Sequence, residues 1–463
     1  MSEEMKTLRK QLLRDSRSGY DVLEEAQLRQ MEDYCADYKA FLGNKTERLS
    51  ARAAIAAAEA HGFVEYRRGM ALEAGDKVYT CNRGKGLMLA VMGRESMAEG
   101  VQIAAAHIDS PRLDLKPNPL YEDSELAYFK THYYGGIRKY QWVTIPLQLQ
   151  GVVVKKDGTA VEVCIGEKGE PQLVITDLLP HLGGEQGKKP LSEAIPAETL
   201  NILLGSRPIG DEDDSDRVKL HVMKRLYDKY GITEVDFASA ELEAVPAADA
   251  VDIGIDGSMI GSYGHDDRVC GYAALRALLE LDAPAKTAVC VLADKEEIGS
   301  MGVTGMQSAV FETFLSDLCD SQNVPLKVCF ENSFCLSADV TAAYDPNFAD
   351  VFDKKNAAFL NHGVGLCKYT GARGKSGSSD AGAETVAYVR SLLDGAGVRW
   401  QICELGKVDA GGGGTVAQYM ANRNIATLDA GVPVLSMHAP FEVVGKLDCY
   451  EMYRACKALY LAK

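Results

Sequence analysis

Two adjacent glutamates, Glu296 and Glu297, follow the apolar run Thr287-Ala-Val-Cys-Val-Leu-Ala293. The run reads as a buried strand. Unpaired carboxylates beside a core lose solvation worth roughly several kcal/mol, and a divalent metal next to them would offset that loss. Adjacent side chains diverge, so one glutamate could bind metal while the other handles a proton. Taken alone, the stretch Asp294-Lys-Glu-Glu-Ile-Gly299 is explained equally well by an exposed acidic turn.

Other residues of the same chemistry recur in comparable places. His107-Ile-Asp109 follows an apolar run that ends at Ala106. A metal-bound histidine usually hands its second ring N–H to a carboxylate, and His-x-Asp can do so if the chain bends at Ser110-Pro111. Gly264-His-Asp-Asp-Arg268 precedes a helical run, where one aspartate could bind metal and the other could cap the helix. Ser337-Ala-Asp339 and Ser436-Met-His438 each close an apolar stretch. His107, Asp266, Glu296, Glu297, Asp339 and His438 thus all fall at expected strand ends or in the turns after them. In an open α/β sheet such ends share one crevice. Two imidazoles with several carboxylates suit Zn²⁺ or Mn²⁺, and three or more acidic ligands around two metals would form a bridged dinuclear site.

The elements that must carry these residues follow from periodicity. Residues 7–62 read as helices, and strands are expected at 87–92 and 101–106. Between 118 and 250 the pattern alternates with period two, as at 143–154, 161–165 and 173–177, which predicts an inserted β-rich domain. Residues 183–217, rich in Gly, Pro, Asp and Lys, read as a long surface loop, and 220–230 as a helix or a helix with a strand. From about 250 strands near 287–293, 327–339 and 398–403 alternate with helices at 268–281, 304–318 and 380–396. The expected architecture is an α/β fold, a mixed sheet sandwiched by helices, formed by 1–117 and 251–463 and split by the β-rich insertion 118–250.

Composition narrows the function further. The 463 residues are 46% hydrophobic and 25% charged, the balance of a soluble globular protein. A net charge of −16 argues against nucleic acid and against an anionic membrane surface as partners. The twelve cysteines form no Cys-x-x-Cys pair, and many sit in apolar contexts, as reduced thiols of a cytoplasmic protein do. No signal-like N-terminal run and no membrane-length apolar run is present in the chain.

Five stretches, Ala105-Ala-His-Ile-Asp-Ser-Pro111, Gly264–Arg268, Asp294–Ser300, Ser337–Asp339 and Leu435-Ser-Met-His438, occur in the order and at the spacing of the M18 metalloaminopeptidases, the family that includes aspartyl aminopeptidase. The chain resembles that family over nearly its whole length. The resemblance implies a zinc-exopeptidase core and an aminopeptidase with two divalent ions, Zn²⁺ with Mn²⁺ or Co²⁺ as alternatives. It implies that Asp266 bridges the ions, that His107 and Asp339 complete one shell, and that Glu297 and His438 complete the other. Glu296 would be the general base toward the bridging water, and Asp109 would hold the His107 ring. It also implies peptide substrates, a homododecamer, and an insertion that serves as an oligomerisation or lid module, with His181 in the position of a histidine that reaches a neighbouring subunit's site. Lys368 matches a family lysine position near the substrate.

The chain departs from the aspartyl branch. Trp142 is followed by apolar Val143, and Thr341-Ala-Ala-Tyr-Asp345 stands where that branch has histidines. This puts a preference for acidic N-terminal residues in question. Two further readings stay open on sequence. One is a carboxypeptidase or deacylase on the same core, with Arg112, Arg138 or Arg268 recognising a substrate carboxylate. The other is a non-catalytic, self-assembling scaffold with a peptidase shell.

Overall fold

Every residue of strands Gly86–Val91, Gln102–His107 and Ala288–Ala293 is buried. Strands covered on both faces carry apolar residues continuously, without alternation. The computed structural model, which describes residues 2–14 and 17–463, sets these strands in a nine-stranded mixed sheet. Four neighbours at its centre, Ala288–Ala293, Gln102–His107, Phe334–Ala338 and Ala426–Gly431, run parallel. Antiparallel strands Gly86–Val91 and Val364–Cys367 flank them. Ala104, Ala106, Cys290 and Leu292 pack under helices Glu25–Phe41, Glu47–Ala60, His265–Leu279 and Lys446–Tyr460. Ile103, Ala105, Val289 and Val291 face the opposite layer, built on helices Val310–Asp320 and Leu326–Glu331. The expected sandwich of a mixed sheet between helices is the fold observed.

A second, six-stranded sheet is formed by strands that all lie between Arg112 and Pro246, with helix Arg217–Tyr230 against it. It has a core of its own, around Leu113, Phe129, Trp142 and Leu242. Arg112, at its entry, is almost wholly buried. It faces Glu47 of the helical layer at 3.3 Å and Glu243 of the second sheet at 3.3 Å. A guanidinium flanked by carboxylates from both sides ties the two parts electrostatically, where burial leaves little screening by water.

A third sheet of five short strands includes Met259–Ser262, Thr341–Ala342, Pro433–Leu435 and Glu442–Gly445. It lies where the chain leaves the central strands. Strand Phe334–Ala338 passes directly into Thr341–Ala342, and Ala426–Gly431 into Pro433–Leu435.

Three local expectations need correction. Residues Leu326–Glu331 are helical, and only Phe334–Ala338 is strand. Pro325 at the helix N-cap cannot donate to a ladder, and Cys329 and Phe330 bury into the second helical layer instead. The 183–217 loop contains strand Ile202–Gly205, paired with Ala127–Phe129. Residues 173–177 make only the bridges Leu173 to Leu147 and Val174 to Leu203.

Gly431 ends the last central parallel strand under a tight restriction. A Cβ there would lie 1.6 Å from the Asp339 carbonyl oxygen. Backbone cannot yield as a flexible side chain can. Gly431→Ala should therefore destabilise the protein by about 3 kcal/mol, the upper end for overpacking, read from urea unfolding. An unchanged unfolding midpoint would show that the strand ends can separate freely.

Candidate metal centre

The parallel strands deliver their C-terminal ends to one place, and the third sheet supplies the rest. His107 is the last residue of its strand. Asp339 follows directly on Phe334–Ala338. Glu296 and Glu297 open a single 3₁₀ turn after Ala288–Ala293, held between the left-handed residues Lys295 and Gly299. Asp266 and Asp267 lie in the irregular first turn of helix His265–Leu279. Neither carboxylate caps that helix, contrary to the expectation for one of them. The N-cap is Gly264, at φ 74°, where a Cβ would collide with the Arg268 guanidinium. His438 sits in the turn between Pro433–Leu435 and Glu442–Gly445.

These residues converge. The Asp266 carboxylate lies between the two histidines, Oδ1 at 3.1 Å from His107 Nε2 and Oδ2 at 3.2 Å from His438 Nε2. His107 Nε2 is 3.9 Å from both Glu296 Oε2 and Asp339 Oδ1. His438 Nε2 is 3.6 Å from Glu297 Oε2. Both imidazoles use their other nitrogen on a backbone carbonyl. His107 Nδ1 lies 2.9 Å from Asp109 O, and His438 Nδ1 2.8 Å from Gly136 O. Such bonds fix the tautomer and turn Nε2 toward the carboxylates.

Asp109 is fully buried and does more than orient His107. Its Oδ1 and Oδ2 accept the backbone N–H groups of Glu296 and Glu297, each at 3.2 Å, and Oδ2 also accepts Tyr134 Oη at 2.8 Å. Glu442, which sequence reasoning passed over, receives the N–H of Asp266 at 3.1 Å and of His438 at 2.6 Å. Asp267 was also missed as a donor. With His107 and Asp339 it forms one group of atoms able to hold a metal, and His107, Asp266 and Glu297 form another. Its position within an already suspicious Asp-Asp pair was the available signal.

The donors fit divalent cations. Both Asp267 oxygens and Glu297 Oε1 are buried without a hydrogen-bond partner, an arrangement that is costly unless a charge meets them. Burial first, then neighbouring negative charge, pushes the Glu297 carboxyl well above its usual range. Burial with the nearby Asp267 does the same to Asp339. Burial raises Glu296 to about 7. Burial also acts against charge on Asp266, but hydrogen bonds from His107 and His438 outweigh it and hold that carboxyl below its usual range.

The cleft over the cluster has a volume of about 450 Å³ and is also lined by Thr370, Leu405, Gly412–Gly414 and Met437. Lys368 is exposed between the lining residues Cys367 and Thr370. His181 is exposed on the 178–189 segment and does not line the cleft.

A histidine–carboxylate cluster at the parallel strand ends of a mixed α/β sheet has the donors and the placement of a metal-dependent hydrolase. Residues 44–460 match the model of the aminopeptidase I zinc metalloprotease (M18) family, and the chain belongs to that family of metal-dependent aminopeptidases. A Clostridium acetobutylicum protein named "Probable M18 family aminopeptidase 1" is 48% identical over 95% of this chain and 97% of its own length. The crystal structure of an M18 aminopeptidase from Thermotoga maritima superposes with a TM-score of 0.92 at 42% identity, covering 96% of this chain and 99% of that one. Aminopeptidase I from C. acetobutylicum gives a TM-score of 0.91 at 44% identity, over 97% of this chain and all of that one.

The raised carboxyls predict a pH dependence. A carboxyl whose folded pKa exceeds its unfolded value of about 4 contributes stability that is complete below that value and is lost as pH rises through the folded pKa. Glu296, Glu297, Asp267 and Asp339 all act in this sense. The Tm of chelator-stripped protein should therefore fall between pH 5 and pH 8, and added zinc should raise it more at pH 8 than at pH 5. A stripped-protein Tm that climbs across this window would contradict the burial argument.

Proposed function

We propose that this aminopeptidase uses two divalent ions, held on either side of Asp266, to release N-terminal residues from peptides. The observation that carries the reading is the Asp266 carboxylate with one oxygen toward each histidine. His107 and Asp339, with Asp267 beside them, would hold one ion; Glu297 and His438 would hold the other. Zinc accords with the family's description, and Mn²⁺ or Co²⁺ would be accepted by the same donors. Bound there, the ions would polarise the scissile carbonyl and lower the pKa of the attacking water.

Glu296 would act as general base. Its side chain keeps 16% exposure to the cleft, and its N–H is fixed by Asp109. A carboxylate with a pKa near the working pH can take a proton from water and return it to the leaving amine. The residues lining the cleft include neither lysine nor arginine, which favours neutral over acidic N-terminal side chains. Exposed Lys368, next to the rim, is the candidate for any residual acidic preference.

A carboxypeptidase or deacylase would present an arginine to the substrate carboxylate. Arg112 is enclosed by Glu47, Asp114 and Glu243, Arg268 donates to the Gly264 and Tyr263 carbonyls, and Arg138 is exposed and does not line the cleft. These placements favour the aminopeptidase, and the intact donor set disfavours a scaffold role. The Saccharomyces cerevisiae relative mApe1, which shares the fold at 22% identity, has been solved as a dodecamer. Exposed Leu178, Leu179 and Leu182 around His181 support a comparable homododecamer, with His181 reaching a neighbouring site. Twelve free cysteines accord with the cytoplasm, and no helix among the described residues is long and apolar enough to cross a membrane.

The two glutamates separate experimentally. Glu296→Gln should keep the zinc content of the wild type and lose about 10²–10⁴ in kcat, whereas Glu297→Ala should lose one equivalent of zinc by elemental analysis. Unchanged turnover of Glu296→Gln on neutral aminoacyl anilides would remove it as the base.

A further inference from the structure

Three consecutive residues at the end of strand Leu126–Tyr134 of the second sheet reach three different members of the metal centre. Tyr134 Oη donates to Asp109 Oδ2 at 2.8 Å. At Gly135, φ 74°, a Cβ would stand 3.3 Å from Glu297 Cβ and Oε2, so this backbone already lies against that glutamate. Gly136 presents its carbonyl to His438 Nδ1 at 2.8 Å. The tyrosine is itself held from below, because the Arg112 guanidinium lies 3.8 Å from its ring centroid.

Each contact acts on something the site needs. Asp109 receives two backbone N–H groups from the glutamate turn, at 3.2 Å each, and the shorter phenol bond. Without the phenol the carboxylate keeps only the longer bonds and can rotate, which loosens the glutamate turn and removes the Oδ1 that lies 3.3 Å from His107 Nδ1. The Gly136 carbonyl requires hydrogen on His438 Nδ1, which leaves Nε2 as an electron-pair donor toward Glu297 and Asp266.

We propose that Tyr134-Gly135-Gly136 is a positioning clamp, through which the second sheet sets the donor geometry of both halves of the metal centre. The proposal rests on the two-ion reading above. Tyr134 serves both halves, since the Asp109 carboxylate lies 3.3 Å from His107 Nδ1 through Oδ1 and accepts the Glu297 N–H through Oδ2. Gly136 serves only the half formed by Glu297 and His438.

The test uses the full-length protein and zinc. Zinc affinity and stoichiometry are measured by competition with a chromophoric chelator, alongside Tm, kcat and KM, for the wild type, Tyr134→Phe, Gly136→Ala and the control Tyr133→Phe. Tyr133 is the exposed neighbour in the same strand. Tyr134→Phe should weaken both zinc sites by about 10–100-fold, the usual range for partners of metal ligands, and lower kcat while KM stays within about threefold. Gly136→Ala should weaken one site and leave the other as in the wild type. Its backbone φ suits alanine, but the new Cβ would lie 3.3 Å from His438 Nδ1. Tyr133→Phe should match the wild type. If Tyr134→Phe lowers Tm but binds both zinc ions as tightly as the wild type, the residue is merely structural and the clamp is wrong. If Tyr134→Phe does not fold, Gly136→Ala decides alone: wild-type affinity at both sites overturns the clamp. A wild type that binds a single zinc overturns the two-ion reading, and with it the two-sided clamp.

Discussion

Carboxylates repel one another, and water is what normally makes their proximity tolerable. Here Asp266, Glu296, Glu297 and Asp339 line one cleft, and Asp109 and Asp267 are buried close behind them. Electrostatic energy in such surroundings is several times larger than in bulk solvent. Backbone N–H groups quench Asp109, and the imidazoles quench Asp266. Asp267, Asp339 and Glu297 are left with their charge opposed by burial and by their neighbours. Such an imbalance is relieved when a cation lies beside the carboxylates.

The three sheets divide the task. The central parallel strands place His107, Asp339 and the glutamate turn on a rigid edge, where packing on both faces prevents drift. The small third sheet carries Asp266 and His438 over that edge, and Glu442 holds both backbones. The second sheet closes the remaining side. Precision in a metal site depends on the groups behind the ligands as much as on the ligands, and here those groups come from all three sheets.

Much of this is legible in the sequence. Continuous apolar runs ending in His107, Asp294 or Asp339 signal central strands, and charged residues immediately after them signal a site. Five short stretches in order signalled the family. The less accessible parts depend on long-range approach. Tyr134 is an ordinary strand tyrosine until its strand end meets Asp109, twenty-five residues earlier in the chain. Glu442 reads as a polar residue in a short strand until its two backbone donors are in place. The helix at Leu326–Glu331 defeated a reading by apolarity alone, because short buried helices and strands have similar composition. Asp267 was hidden by the general preference of aspartate for helix starts, which the left-handed Gly264 overrides.

The chain runs from His107 to Arg112, the first residue of the second sheet, in five steps, and the sheet's return through Tyr134 brings it back to the same carboxylate. Grafts and deletions treat an insertion as a detachable accessory when its ends lie far from the chemistry. The second sheet begins directly after the His107–Pro111 stretch, and its Tyr134 and the following Gly136 return to Asp109 and His438. Removing residues 112–246 would also remove the phenol on Asp109 and the carbonyl on His438.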